Sequence, residues 1–227
     1  ESFSPGTTKV VISTHTPSAV LHTAAYTNVR TAEQEHHLCW ETNVRGTELL
    51  VEALLRRNPQ CYFVYVSTAC VFYGDRGSYA EDDIPNPKNF YGLTKLLGEY
   101  VARRFPLHLI IRTNFAPRAP WPYPKAFIDR FGTYLYADDV ARAIKDVLAK
   151  QLTGVAHIAG DRKLSMLELA RMISPAVEPM SMREVTLPLT VDMTLTSKRI
   201  ARYRLTEDGD SAQVATDAVG GAAPGAG

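Results

Sequence analysis

The sequence lacks the features that define several large classes of protein. It has three cysteines, Cys39, Cys61 and Cys70, with no C-x-x-C pair and no histidine at ligand spacing, so neither a disulfide framework nor a metal site is expected. No apolar run approaches the ~20 residues of a membrane-spanning helix. The amino terminus has no basic segment followed by an apolar one, as a secretion signal would have. We therefore expect a cytoplasmic protein with reduced thiols and no bound metal.

The chain also lacks an excess of charge of either sign. Its 25 lysines and arginines nearly balance 24 aspartates and glutamates, for a net charge of +1, which gives no field that would gather nucleic acid or an anionic membrane. Anionic ligands would have to be recognised by a few placed groups. Arg112 and Arg118 are candidates for binding a diphosphate, although ordinary surface positions suit both arginines equally well.

Strand-like and helix-like segments alternate along the chain, and this pattern predicts a parallel sheet covered by helices. The apolar residues after position 43 recur at helical spacing until Asn58-Pro59. Ser165 and Glu168 have the spacing of a capping box. Asp138 is expected to start another helix. The predicted strands are 19–25 (AVLHTAA), 61–66 (CYFVYV), 107–111 and 155–158. The predicted helix with the most candidate functional residues spans 91–105.

Tyr91, Lys95 and Thr68 form the candidate catalytic constellation. Tyr91 and Lys95 are four residues apart on a predicted helix and share a face. A lysine ammonium near a phenol favours the phenolate and makes the tyrosine a usable proton donor or acceptor near neutral pH. A Tyr-x-x-x-Lys pair often arises by chance on a solvated helix. Its combination with the Thr68 strand end and with residues 24–26, which follow another predicted strand, favours a functional site.

The blocks around these residues resemble the dTDP-4-dehydrorhamnose reductase family of extended short-chain dehydrogenases/reductases. The similarity is most specific in AVLHTAAYTNVRTAE (19–33), NVRGT (43–47), VYVSTACVFYGDRGSYAEDDIPNPKNFYGLTKLLGE (64–99) and IIRTNF (110–115). It continues more weakly through TYLYADDVARAI (133–144), HIAGDRKLSMLELA (157–170) and MTLTSKRI (193–200).

This resemblance implies a Rossmann-like fold and an oxidoreductase that reduces a nucleotide-linked 4-keto sugar with NADP(H) or NAD(H). It also assigns roles to residues. Tyr91 would donate the proton and contact the cofactor, Lys95 would bind the nicotinamide ribose, and Thr68 would complete the catalytic set and touch the substrate. The remaining implied contacts are Ala24, Ala25 and Tyr26 with the cofactor, and Asn114 and Phe115 with the substrate.

Two departures from the family pattern bear on this expectation. No glycine-rich turn precedes Ala19, where Gly6 stands alone, so we expect a sheet that is incomplete on its N-terminal side and exposes an apolar edge. Residues 9–12 (KVVI) are a hypothetical covering strand. The second departure is Ala69, at a position where the family usually has an acidic residue that we take to assist proton movement.

The expected organisation is a partial dinucleotide-binding Rossmann domain over residues 1–113, a segment over 114–205 that forms a small substrate lobe and returning helices, and a disordered tail over 206–227. Two other functions are left open at this point. One is a non-catalytic binding or regulatory protein on the same scaffold, and the other is a sugar-nucleotide 4-epimerase. A homodimer is also left open.

Overall fold

The apolar strand segments assemble into a parallel sheet in a computed structural model that describes residues 16–206. The strands are β1 (Ala19–His22), β2 (Tyr62–Thr68), β3 (His108–Thr113), β4 (Phe115–Ala116), β5 (Lys125–Phe127), β6 (Phe131–Gly132), β7 (Leu135–Tyr136), β8 (Gly154–Ile158), β9 (Leu164–Ser165), β10 (Glu178–Met180) and β11 (Asp192–Met193). The helices are α1 (Val29–Ala32), α2 (His36–Trp40), α3 (Gly46–Arg57), α4 (Phe90–Ala102), α5 (Ala137–Ala149) and α6 (Met166–Arg171).

The central sheet has the strand order β1–β2–β3–β8, and all its pairings are parallel. Strand β2 is mostly buried along its length, as a strand covered on both faces should be. The register aligns Ser67 with Arg112 and Arg112 with His157, so these three polar residues lie in one row across the sheet. Parallel strands end at the same edge, so the residues after β1, β2 and β3 meet there.

Helices cover both faces of this sheet. On one face Val51 and Leu54 of α3 and Ala102 of α4 share a core with Phe63 and Ile110. On the other face the apolar side of α5 packs against alternate residues of the same strands, in a cluster that includes Val140, Ala143, Ile144, Val147, Val64, Leu109 and Ile111. Each valine, leucine, isoleucine or phenylalanine side chain among these contributes ~1.5–3 kcal/mol when fully buried. The predicted Rossmann-like α/β fold is confirmed.

Strand β1 forms one edge of the sheet in the described part of the chain. It is shorter than predicted and ends at His22 rather than at Ala25, because the residues that follow turn away to reach α1. Leu21 is 44% exposed on this strand. The hypothetical strand at residues 9–12 and the predicted tail beyond residue 206 lie outside the described residues.

The second half of the chain adds small sheets beside the carboxyl ends of the main strands. Strand β6 lies between β9 and β11, β5 pairs with β10, and β4 pairs with β7. The segment Pro188–Met193 crosses back towards the main sheet, where the Asn89 and Asn114 side-chain amides donate hydrogen bonds of 3.3 Å to Pro188 O and 2.7 Å to Met193 O. This contact places the segment against the end of β2 and the start of α4.

Several local predictions are confirmed. Ser165 and Glu168 form the expected capping box at α6, and α5 begins at Ala137, beside the expected Asp138. The helix predicted from residue 91 begins at Phe90. Within residues 16–206, no helix is long and apolar enough to cross a membrane.

Candidate active site

Tyr91 lies against the end of β2 because α4 begins in direct contact with the turn that follows this strand. Asn89 caps the helix, accepting a 2.8 Å hydrogen bond at Oδ1 from the Gly92 N–H. A Cβ atom at Gly92 would lie 2.2 Å from the Cys70 carbonyl oxygen, so only glycine permits this approach. The result is that the Tyr91 phenol lies close enough to Thr68 for the two side chains to interact.

The electrostatic state of Tyr91 differs from the expectation. Burial raises the pKa of its phenol well above the ordinary value, the neighbouring Cys70 raises it further, and the hydrogen bond from Thr68 opposes the change. The expected lowering of this pKa by Lys95 is not seen, since desolvation dominates. Tyr91 is therefore a fully protonated phenol at neutral pH, and in this state it can only donate a proton.

Lys95 is buried one turn further along α4. Its Nζ donates a 2.8 Å hydrogen bond to the Val66 carbonyl oxygen and lies 4.2 Å from the centroid of the Tyr65 ring. Burial lowers the pKa of Lys95 to about 7, while the carboxylate of Glu99 opposes this change. Since an ammonium has three donors and the described residues accept from one, Lys95 can still bind two hydroxyl groups.

Glu99 extends the polar face of α4 by a further turn and anchors it to the sheet. Arg112 donates to both oxygens of Glu99, over 2.9 Å from Nε and 2.7 Å from Nη2, and the Ser67 hydroxyl donates over 2.6 Å. Both charged side chains are almost completely buried. The suggested role of Arg112 as a diphosphate partner or a surface arginine is therefore wrong, because its guanidinium is engaged beneath α4.

Arg118, the other suggested diphosphate partner, is also committed within the protein. It forms ion pairs of 3.2 Å with Asp138 and 3.1 Å with Asp139, and its guanidinium lies 4.0 Å from the centroid of the Tyr136 ring. Two carboxylates thus compensate its charge. The two acidic residues act at the start of α5, as expected for a helix start.

The loop after β1 is held to α4 by Asn43, which lies in a π-helical turn (Glu41–Arg45) before α3. The Asn43 side chain accepts a 2.7 Å hydrogen bond from Tyr26 N and donates to Tyr26 O over 3.1 Å. It also donates to Thr94 Oγ1 over 2.9 Å, between Tyr91 and Lys95 on α4. Asn43 thus fixes the predicted cofactor loop against α4, the helix that carries Tyr91 and Lys95. It was not among the predicted site residues, although it opens the quoted NVRGT block.

Ala24, Ala25 and Tyr26 lie at the carboxyl edge of the sheet, half-buried. The Tyr26 hydroxyl donates a 2.5 Å hydrogen bond to Glu35 Oε2, so this side chain closes the loop onto the segment between α1 and α2. At the end of β1, His22 Nε2 lies 3.0 Å from Thr47 Oγ1, and burial lowers the pKa of His22 to about 4. Lys95 contributes to this lowering, which places both groups in one electrostatic cluster.

The predicted substrate residues follow β3 at the same edge. The Asn114 side chain is buried and bonded to the Met193 carbonyl, while Phe115 is 51% exposed. Ala69 is completely buried in the short helical turn after Thr68, and it brings no ionisable group to the site. Of the two predicted contacts, only Phe115 presents a substantial free surface.

The described residues contain no group of three or more His, Cys, Asp or Glu side chains arranged to hold a metal ion. The three cysteines are buried thiols that form no disulfide. Two of these thiols, Cys70 and Cys39, act electrostatically on Tyr91.

Comparison with known proteins agrees with this arrangement. Residues 4–116 match the model of the RmlD substrate binding domain. The dTDP-4-dehydrorhamnose reductase of Aggregatibacter actinomycetemcomitans is 32% identical over 165 residues, which are 72% of this chain and 53% of that protein. The chain thus spans about half the length of this curated relative.

Solved structures extend the similarity to most of the fold. The hypothetical dTDP-4-dehydrorhamnose reductase from Sulfolobus tokodaii is 30% identical, with a TM-score of 0.75 over 90% of this chain and 82% of that one. The reductase from Bacillus anthracis, solved in complex with NADP, has a TM-score of 0.80 at 23% identity, over 91% and 83% of the two chains. The Danio rerio methionine adenosyltransferase 2 subunit beta is also related, at 26% identity over 73% of this chain and 58% of that protein.

Proposed function

Because the chain belongs to the dTDP-4-dehydrorhamnose reductase family, we propose that it reduces the 4-keto group of a nucleotide-linked sugar with NADPH or NADH. The observation that carries this proposal is the convergence of three side chains at the carboxyl edge of the sheet: Tyr91 at the start of α4, Thr68 at the end of β2, and Lys95 one turn along α4. Related proteins include a reductase solved with NADP. The nicotinamide cofactor, when bound, supplies the hydride.

The residues at the carboxyl edge fit the ribose end of such a cofactor. Lys95 keeps two donors that no described residue uses, and these suit two ribose hydroxyls. The loop Ala24–Tyr26 has two small side chains and a backbone fixed by Asn43, so a planar ring could pack against it. Residues 16–30 contain no glycine, and we assign no site for the pyrophosphate of the cofactor within the described residues.

Tyr91 acts as the proton donor in this proposal. Burial keeps its phenol protonated at neutral pH, so the proton is available when negative charge develops on the carbonyl oxygen. Thr68 lies beside the same phenol, and its hydroxyl would bond to the carbonyl oxygen and orient it. Since Ala69 cannot ionise, the protein's own contribution to proton transfer rests on Tyr91 and its immediate neighbours.

The second half of the chain would supply the substrate side of the site. Phe115 offers an exposed aromatic surface, and Asn114 positions the segment Pro188–Met193 over the end of β2. We propose the division of labour outlined above, with residues 1–113 towards the cofactor and residues 114–205 towards the sugar nucleotide. A cytoplasmic location would suit a nucleotide-sugar substrate and three reduced thiols.

A non-catalytic regulatory protein is the second candidate. It is favoured by the similarity to methionine adenosyltransferase 2 subunit beta and by the alanine at position 69. The retained Thr68, Tyr91 and Lys95 favour the reductase, because a binding subunit has no chemical need for this trio. No observation of comparable weight favours the 4-epimerase.

Fluorescence titration of the chain with NADPH and NADH tests the proposal, beside the Tyr91→Phe variant. The reductase predicts micromolar binding that Tyr91→Phe leaves nearly unchanged, because that variant removes only a hydroxyl, together with turnover of a dTDP-4-keto sugar that the variant abolishes. Binding without any turnover would favour the regulatory candidate. Absence of binding by the folded chain would contradict the reductase.

A further inference from the structure

Arg130 is a buried arginine without an acidic partner. It lies between β5 and β6 and is 7% exposed. Its Nε donates a 3.0 Å hydrogen bond to the Thr190 carbonyl oxygen. The other contacts of its guanidinium are a 3.5 Å approach to Thr190 Oγ1 and longer contacts with the thioether sulfurs of Met193 (3.5 Å) and Met166 (3.8 Å).

These contacts leave most of the hydrogen-bonding capacity of Arg130 unused. A guanidinium carries five donors, and a thioether sulfur is a weak acceptor. No carboxylate of residues 16–206 forms an ion pair with Arg130, whereas the other deeply buried arginine, Arg112, has a bidentate carboxylate partner. A buried charge without a counter-charge is costly, so the fold would keep it only where an anion arrives.

Tyr134 provides a second unused donor at the same place. Its hydroxyl is buried and has no hydrogen-bond partner in the described part of the chain. Burial raises the pKa of Tyr134 to about 12, and the positive charge of Arg130 acts in the opposite direction, so the two groups are near enough to interact electrostatically. A protonated phenol and a guanidinium are both donors, and an oxyanion can accept from both.

This pair lies one side-chain layer from the catalytic tyrosine. Cys70 Sγ lies 3.5 Å from Met193 Sδ and 3.9 Å from Thr190 Oγ1, the same two atoms that Arg130 contacts. Cys70 also acts electrostatically on both Tyr91 and Tyr134. The neighbouring carboxylate, Asp192, is engaged by Lys163 and by Thr194 N and Oγ1, so it compensates Lys163.

We propose that Arg130 and Tyr134 bind the diphosphate of a nucleotide-linked sugar, beneath the segment Pro188–Met193. The identity of this anion rests on the proposed function, because a reacting keto sugar at Tyr91 carries its diphosphate on the same ring. Guanidinium binds phosphate oxygens in a bidentate manner. The flexible side chains of Met166 and Met193 can move aside for the ligand. The protein thus binds the diphosphate of its substrate with two residues outside the helix that carries Tyr91 and Lys95.

Isothermal titration of the chain with dTDP, thymidine and inorganic pyrophosphate tests this proposal. Hydrogen bonds to charged groups contribute roughly 1.5–3 kcal/mol, so Arg130→Met should weaken dTDP binding by about 10- to 100-fold. Tyr134→Phe, which breaks no hydrogen bond within the described protein, should weaken it several-fold. Thymidine binding should not change. Arg162→Met is the matched control, since it removes an exposed arginine of the same half of the chain, and it should bind dTDP normally.

Three results would overturn the proposal. The first is wild-type protein that does not bind dTDP at millimolar concentration. The second is unchanged dTDP affinity in both Arg130→Met and Tyr134→Phe, with melting curves showing that both variants are folded. The third is equal loss of thymidine and dTDP affinity. If inorganic pyrophosphate binds as well as dTDP, and its binding depends on Arg130, the anion site is supported and the diphosphate is the part of dTDP that it recognises. NADPH binding does not depend on this site. Arg130-dependent dTDP binding without cofactor binding would therefore contradict the reductase function but support the anion site.

Discussion

Lys95 donates its one hydrogen bond within the described protein to the carbonyl oxygen of Val66, over 2.8 Å. This contact ties the second turn of α4 to the strand that carries Thr68 two residues later. Glu99 binds the intervening Ser67, so three consecutive residues of β2 meet three successive turns of α4. The helix is thereby held in the one position that brings Tyr91 to Thr68.

Cofactor binding should depend on the charge of Lys95. Burial lowers the pKa of Lys95 to about 7, so its ammonium form is lost as the pH rises through neutrality. We expect the affinity for NADPH to fall several-fold between about pH 6 and about pH 8. Fluorescence titration across this range measures the effect, and NADH, which lacks the 2′-phosphate, serves as the control for titration of the ligand. A flat profile for both cofactors would contradict the role of Lys95.

Tyr91→Phe should abolish most of the activity while leaving the fold intact. Removing a positioned proton donor costs about 10²–10⁴-fold in rate, so kcat should fall by that factor with little change in KM. Tyr100→Phe is the matched control, because Tyr100 lies on the same helix and is 59% exposed. Steady-state kinetics of both variants checks this. Equal effects of the two substitutions would mean that Tyr91 acts only through packing.

The buried pair of Glu99 and Arg112 should behave as a unit in folding. Glu99→Gln leaves the guanidinium of Arg112 buried without its counter-charge, so we expect the free energy of unfolding to fall by about 3–5 kcal/mol. The double variant Glu99→Gln, Arg112→Met should recover part of this loss. Urea unfolding measures both. Glu52→Gln, at an exposed ion pair with Arg56, should change stability by no more than about 1 kcal/mol. A loss as small as this in Glu99→Gln would argue against the buried pair.

His22 should make the fold sensitive to acid. Its pKa is lowered to about 4 by burial and by the charge of Lys95, whereas the unfolded chain takes up this proton near pH ~6.5. The unfolded state therefore binds more protons in this window, and stability falls as the pH drops from about 6.5 to about 4, by about 3 kcal/mol in total. Thermal melting of wild type and His22→Gln across this range is the test. The fall of melting temperature with decreasing pH should be smaller in His22→Gln than in wild type, and it should be unchanged in the control variant His108→Gln. The same pH dependence in all three proteins would show that His22 is not responsible.

Much of the frame was predictable from the sequence, because hydrophobic pattern and turn chemistry are local signals. The buried run at 61–66, the Ser165–Glu168 capping box and the helix that carries Tyr91 and Lys95 all formed nearly where expected. The departures involve groups whose state depends on tertiary packing. The sequence gives no sign that Arg112 is buried. Its burial against Glu99 follows from the register of β3 beneath α4.

The same limit applies to the electrostatics of the site. The spacing of Tyr91 and Lys95 predicts a shared helix face, which is observed, but not how deeply both side chains are buried. Burial sets the direction of both pKa changes. The sequence also does not predict that Arg130 and Tyr134 lie near each other. The segment Pro188–Met193, from a distant part of the chain, completes this cluster.

The proposed reductase activity is tested most directly by measuring NADPH consumption with dTDP-4-dehydrorhamnose in wild type and Tyr91→Phe. Chromatography identifies the sugar-nucleotide product. We expect one reduced sugar nucleotide to form for each NADPH consumed, and the rate to fall by about 10²-fold or more in the variant. The proposed activity would be contradicted by folded protein that consumes no NADPH in the presence of the substrate, or by a Tyr91→Phe variant that retains the wild-type rate.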